Sequence, residues 1–225
     1  MIVVDSVSKT YVSGIEEVHA VDRVSFAIGP GQLVTLYGAS GSGKTTLMNL
    51  IAGLDDADSG TVEVAGVEIT ALDEDQRAAM RRETIGVVFQ DHNLIAEFTA
   101  AENVSLPQVA GGSRVRTAKQ DAEGALQKVG LADLGDRFPD QLSGGQRQRV
   151  GVARALVGAR KVLIADEPTG ALDTANSESL FALLRELADG GLTVVVATHD
   201  PLARRYADRV FSIVDGAVSE ELVDA

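Results

Sequence analysis

The sequence predicts an α/β fold: parallel strands covered by helices, with an antiparallel β-rich segment before them and a helical segment inserted between them. Three observations carry this. Residues 2–69 are rich in short β-branched runs punctuated by Gly29-Pro30-Gly31 and Asp58-Ser59-Gly60. Residues 99–157 carry a mostly helical pattern, and the segment after them returns to alternating strand and helix signals.

Taken in order, strands are expected at residues 2–4, 18–21 and 24–28, with an alternating strand at 61–69 completing an antiparallel sheet. The apolar run 33–37 reads as a buried strand, and Leu47, Leu50 and Ile51 mark a helix beyond a glycine-rich loop. Asp73 followed by Gln76 resembles a capping box, starting a helix that runs toward Arg82, and residues 85–89 read as the next strand. Within the helical segment, a helix over 117–129 stops at Gly130, and Ser143 caps another. The last part gives a strand at 162–166, a helix over 177–188, a break at Gly190-Gly191 and a strand at 193–197. Leu180, Leu183, Leu184 and Leu187 share one helical face and read as core. Asp200-Pro201 reads as an N-cap with proline at the first helical position, and Asp215-Gly216 as a hairpin turn between 209–214 and 217–218. There is no internal repeat and no low-complexity linker.

A chain of 225 residues can bury a substantial core as one domain over residues 1–225. The expected division is a core of residues 1–90 and 158–225 with a helical lobe at 91–157. No apolar run reaches the roughly 18 residues of a spanning helix, and no charged-then-apolar leader opens the chain, so any membrane role needs another chain. The absence of cysteine excludes a disulfide framework and thiolate metal sites, and the three histidines lack metal-ligand spacing. A formal charge of −13, from 33 acidic and 20 basic residues, argues against broad attachment to nucleic acid or anionic lipid. Docking through a protein partner fits that charge, as does plain solubility. Arg147, Arg149 and Arg154 cluster on the helix after Ser143, where a solvated face is an equal reading.

Two segments carry chemistry. The first is Gly38-Ala39-Ser40-Gly41-Ser42-Gly43-Lys44-Thr45, followed by Thr46, placed between a strand and a helix as a phosphate-binding loop requires. Glycines let the backbone N–H groups turn inward, and the helix dipole adds positive charge. Lys44 can reach the β/γ-phosphates of a nucleotide, and Thr45 offers a hydroxyl to Mg²⁺. The second is the strand 162–166, which ends in Asp166-Glu167. Asp166 can hold Mg²⁺ through its water shell, and Glu167 can polarise the water that attacks a γ-phosphate. A solvated strand end explains such a pair equally well when no phosphate loop is present.

Between them lies Leu142-Ser143-Gly144-Gly145-Gln146, where Ser143 caps a helix start whose N–H groups the glycines leave free for an anion. With this segment the order of motifs resembles the nucleotide-binding subunit of an ATP-binding-cassette (ABC) transporter, over nearly the whole chain. The resemblance implies a P-loop NTPase of ABC type, with an antiparallel β subdomain and an inserted helical subdomain. It implies ATP and Mg²⁺ as ligands and ATP hydrolysis as the reaction.

Residue by residue, Tyr11 resembles the aromatic that stacks on adenine, and Gln90 the residue linking Mg²⁺ and water to the membrane partner. Ala171-Leu172-Asp173 resembles the loop that crosses to a second subunit, and His199 the γ-phosphate contact. The segments Arg81 to Gln90, Asn93-Leu94-Ile95 and Glu102 to Pro107 are similar to the bacterial lipoprotein-release and macrolide-export group. Asp91-His92, Ala96-Glu97 and Ala39 depart from that group's usual residues. The implied assembly is a homodimer clamping two ATP, each between the Lys44 loop of one copy and the Ser143 helix of the other. A separately encoded membrane permease would be its partner, at the cytoplasmic face of the cell membrane, with no nucleic acid involved. The implied work is export or lipid extraction. The alternatives are a mechanical signalling module that controls an extracytoplasmic hydrolase, and a soluble ABC ATPase.

Overall fold

The computed structural model describes residues 1–14 and 16–221. In chain order the elements are β1 (Ile2–Ser13), β2 (Glu16–Ile28), β3 (Leu33–Tyr37), α1 (Lys44–Ala52), β4 (Ser59–Val64), β5 (Val67–Glu68), α2 (Glu74–Glu83) and β6 (Ile85–Val88). Then come α3 (Ala100–Ala110), α4 (Val115–Lys128), α5 (Gly144–Leu156), β7 (Val162–Asp166), α6 (Thr174–Asp189), β8 (Thr193–Thr198), β9 (Arg209–Val214) and β10 (Ala217–Glu221).

Two sheets form. The first is antiparallel, in the order β2-β1-β4-β5. Here the expected strands at 18–21 and 24–28 join into one, because Arg23 takes a positive φ of 47° at a register shift and the strand continues past it. The expected strand at 61–69 is instead a tight hairpin. Ala65 and Gly66 have φ of 55° and 85° and reverse the chain after Val64, and Ile69–Ala71 then form a 3₁₀ turn.

The second sheet runs β10-β9-β3-β8-β7-β6, parallel throughout except for β10, which is hairpin-paired to β9 across Asp215-Gly216 as expected. Its central strands are apolar at nearly every position because both faces are covered. Leu163, Ala165, Val194 and Val196 face a core shared with α3, α4, α5 and α6, where Leu180, Leu183 and Leu184 are buried. Their neighbours Val162, Ile164, Val195 and Ala197 face α1 and the antiparallel sheet.

Helix starts follow local chemistry. Asp73 with Gln76, Thr99 with Glu102 and Ser143 with Gln146 each form a reciprocal capping box, while Asp173 accepts the Asn176 N–H at the start of α6. Asp200 does cap a helical turn, but Pro201–Arg205 is 3₁₀ rather than α. Arg147, Arg149 and Arg154 are not a solvated face. Their guanidinium groups donate to the backbone carbonyls of Leu142, Val129, His92 and Asn93, strapping α5 to the segments around it.

The sheet register sets up one end of the fold. Tyr37 pairs with Thr198 and Asp166 with Ala197, so the loops after β3, β7 and β8 emerge side by side at their carboxyl ends.

Candidate nucleotide site

Lys44 opens α1, and the helix has no side-chain cap: Gly43 stands at the N-cap with φ of 105°. The first-turn N–H groups are therefore left for an outside acceptor. Only glycine fits at 43, since a Cβ there would lie 2.0 Å from the Ala20 carbonyl oxygen. Lys44 turns back into the loop, 6% exposed, and donates to the Gly38 and Ala39 carbonyls at 2.8 and 2.9 Å. Its Nζ lies 3.5 Å from Glu167 Oε1.

Glu167 adopts a left-handed φ of 46°, uncommon for a residue with a long side chain. The conformation is held from three directions. Its N–H donates to the Ala197 carbonyl at 2.8 Å, Thr198 donates its hydroxyl to Oε2 at 3.0 Å, and His199 Nδ1 lies 3.0 Å from Oε2. Such strain at a cleft wall marks a position fixed for a purpose.

Asp166, one residue back, is raised above the ordinary carboxylate range by burial and the neighbouring Glu167 charge; Thr45 hydrogen bonding and the Lys44 charge pull the other way. Its Oδ1 is buried with no hydrogen-bond partner among the described residues. An orphaned carboxylate oxygen beside a threonine hydroxyl is a donor set that suits a hard divalent cation such as Mg²⁺.

Lys44, Thr45, Glu167 and His199 border a cleft of about 420 Å³, and Asp166 and Thr198 stand behind its wall rather than in its lining. Tyr11, Ser40, Gly41, Gly43, Lys44, Thr45, Thr46, Gln90, Glu167 and His199 line it, with Val18 and Ala20 completing the wall. Tyr11 is anchored through its hydroxyl, which donates to Asp55 Oδ2 at 2.5 Å, and Lys9 bridges to the same carboxylate at 3.0 Å. Gly38, Ala39 and Ser42 contribute to the far side of the loop rather than to this cleft.

Ser143, Gly144, Gly145, Gln146 and Asp173 do not line the cleft. They gather elsewhere: a Cβ on Gly145 would meet Asn176 Oδ1 at 2.7 Å, and Asn176 donates to Asp173 at 2.9 and 3.0 Å. The starts of α5 and α6 are thus packed together. Thr198 is the residue that sequence reasoning missed. Its one signal is a hydroxyl ending an otherwise apolar strand, directly before His199.

Free helix N–H groups beside an inward ammonium, with the Glu167 carboxylate on the opposite wall, suit a polyphosphate and define a P-loop nucleotide-binding protein. The chain belongs to the ABC transporter family, whose profile matches residues 21–170, and it is an ATPase of that family. It is 46% identical over 213 residues to the macrolide export ATP-binding/permease protein MacB of Salmonella typhimurium and 44% identical over 212 residues to that of Escherichia coli K12. These matches cover 95% and 94% of the chain but 33% of each relative, so the chain spans about a third of their length.

Among solved structures it is similar to the dimeric post-hydrolysis state of the ATP-binding cassette MJ0796 bound to ADP and Pi, with TM-score 0.90, 39% identity and full coverage of both chains. It is also similar to cbiO1 of Clostridium perfringens, part of the cbiONQ ABC transporter complex, with TM-score 0.86 and 30% identity, over 97% of this chain and 86% of that one. Among the described residues no helix is long and apolar enough to cross a membrane.

Proposed function

We propose that this chain is the motor of an export or lipid-extraction machine: it binds Mg-ATP in the Lys44 cleft and closes on a second copy of itself around two nucleotides. Residues 91–157 act as a helical lobe inserted into a core of residues 1–90 and 158–225. Tyr11 stacks on the base, and the loop Gly38 to Thr46 with Lys44 surrounds the phosphates. Thr45, Asp166 and Gln90 would hold Mg²⁺, which supplies charge neutralisation at the phosphate oxygens. Glu167 accepts a proton from the attacking water, and His199 contacts the γ-phosphate.

One observation carries the dimer: the Ser143 helix start and Asp173 gather on a surface away from the cleft that holds Lys44. A capped N-terminus of that kind suits an anion, and a second copy turned by a two-fold axis can bring one to it. The solved dimer of a similar cassette bound to ADP and Pi supports this reading. Loss of the γ-phosphate then removes the adhesion, and opening moves a membrane partner docked at the cytoplasmic face. The similarity to a macrolide export ATP-binding/permease protein favours work with a membrane permease, and export over signalling.

The test is sedimentation of Glu167→Gln with Mg-ATP, which is expected to dimerise, beside the same variant carrying Ser143→Arg, which is expected to bind ATP and stay monomeric. A dimer that persists with arginine at 143 rules out this clamp.

A further inference from the structure

Gln90 follows β6 and lines the cleft, and the three residues after it make a contorted loop. His92 and Asn93 have consecutive positive φ values of 56° and 47°, a combination that non-glycine residues hold only with outside support. That support comes from α5. Arg154 Nη2 donates to the His92 carbonyl and Nη1 to the Asn93 carbonyl, both at 2.6 Å. Gly151, one turn earlier on α5, faces the same loop, where a Cβ would make ordinary contact with the His92 oxygen at 3.9 Å.

Arg154 is an expensive way to hold a loop. Burial lowers its pKa, and no carboxylate among the described residues offsets that. At the same contact the His92 imidazole lies beside the Gln148 amide. A half-buried charge aimed at two carbonyls of a strained loop is a device for fixing backbone geometry. The helix that carries it is the one Ser143 caps.

We propose that Arg154 is the positioning residue for Gln90: it fixes the backbone of residues 91–93 so that Gln90 projects into the cleft, and it makes that loop move as one body with the Ser143 helix. The inference rests on the role proposed above for Gln90.

A double-mutant cycle on the full chain tests it, with ATP binding and steady-state hydrolysis measured for wild type, Arg154→Ala, Gln90→Ala and the double variant. Each single substitution is expected to lower kcat about tenfold while the Kd for ATP stays within about twofold. The double variant is expected to be no slower than Gln90→Ala, because a positioner has nothing left to position. Losses that multiply in the double variant, or a wild-type kcat for Arg154→Ala beside a slow Gln90→Ala, overturn the proposal and leave the role of Gln90 standing. A wild-type kcat for Gln90→Ala removes the role itself. Arg154→Lys, which can keep one of the two carbonyl bonds, serves the same cycle if the alanine variant does not fold. It is expected to lose part of kcat in the parent and nothing further beside Gln90→Ala, and multiplying losses again refute it.

Discussion

Lys44 and Glu167 face each other across the cleft, with Nζ 3.5 Å from Oε1 and both side chains largely shielded from water. The ammonium proposed to reach phosphate and the carboxylate proposed to activate water are thus each other's counter-charge.

Glu167→Gln is expected to lower kcat about 100-fold or more, because an amide cannot accept a proton from water. It should leave the Kd for ATP equal or tighter, since removing the carboxylate charge frees Lys44 and reduces repulsion of the γ-phosphate. Phosphate release and a binding titration measure the two effects, and turnover within tenfold of the parent excludes Glu167 as the base.

Lys44→Ala removes a charge-assisted donor worth about 1.5–3 kcal/mol and strands the Gly38 and Ala39 carbonyls that it serves. ATP affinity should fall roughly tenfold or more. Isothermal titration with Mg-ATP checks this, and an unchanged affinity contradicts the placement of phosphate beside Lys44.

Gly43→Ala has no room and the wrong backbone conformation, with φ at 105° and a Cβ position 2.0 Å from the Ala20 oxygen. The variant should lose about 2 kcal/mol or more in urea unfolding and bind ATP poorly. A wild-type midpoint would show that the loop relaxes freely, against the tight packing described.

Asp55 ties Tyr11 to the loop after α1. Burial raises its pKa, but hydrogen bonds from Tyr11 and Lys9 prevail, and the net shift is downward. A carboxylate held below its unfolded value contributes stability that is complete above about pH 4 and lost as pH falls through the lower folded value. Asp55→Asn should abolish that acid-side component, worth less than about 1 kcal/mol at this partly exposed site. It should also raise the KM for ATP more than it lowers kcat, by loosening the Tyr11 ring. Acid titration of stability and steady-state kinetics read the two halves, and an unchanged KM separates Asp55 from nucleotide binding.

Local chemistry was legible wherever side chain and backbone settle a matter between near neighbours. Asp73 with Gln76 and Ser143 with Gln146 cap helices as their spacing indicates, because each bond closes within four residues. The hairpin at Ala65-Gly66 was not legible, because alanine carries no turn signal and the flanking alternation continues through it. Whether Arg147, Arg149 and Arg154 form a solvated face was open in the sequence for a related reason. Arg149 and Arg154 find their backbone carbonyls only after distant segments pack against the helix, and Arg154 meets residues 92 and 93 from far along the chain.

By itself the sequence determined which groups could do chemistry: a lysine behind a glycine loop, two acids at a strand end, and a capped helix start bare of side chains. Only the tertiary structure decided which of them meet. It set Glu167 against Lys44 and Thr198, and it left Ser143 with Asp173 on another surface. The reason is that strand order and register are fixed by hydrogen bonds between segments remote in the chain, and no local pattern specifies them.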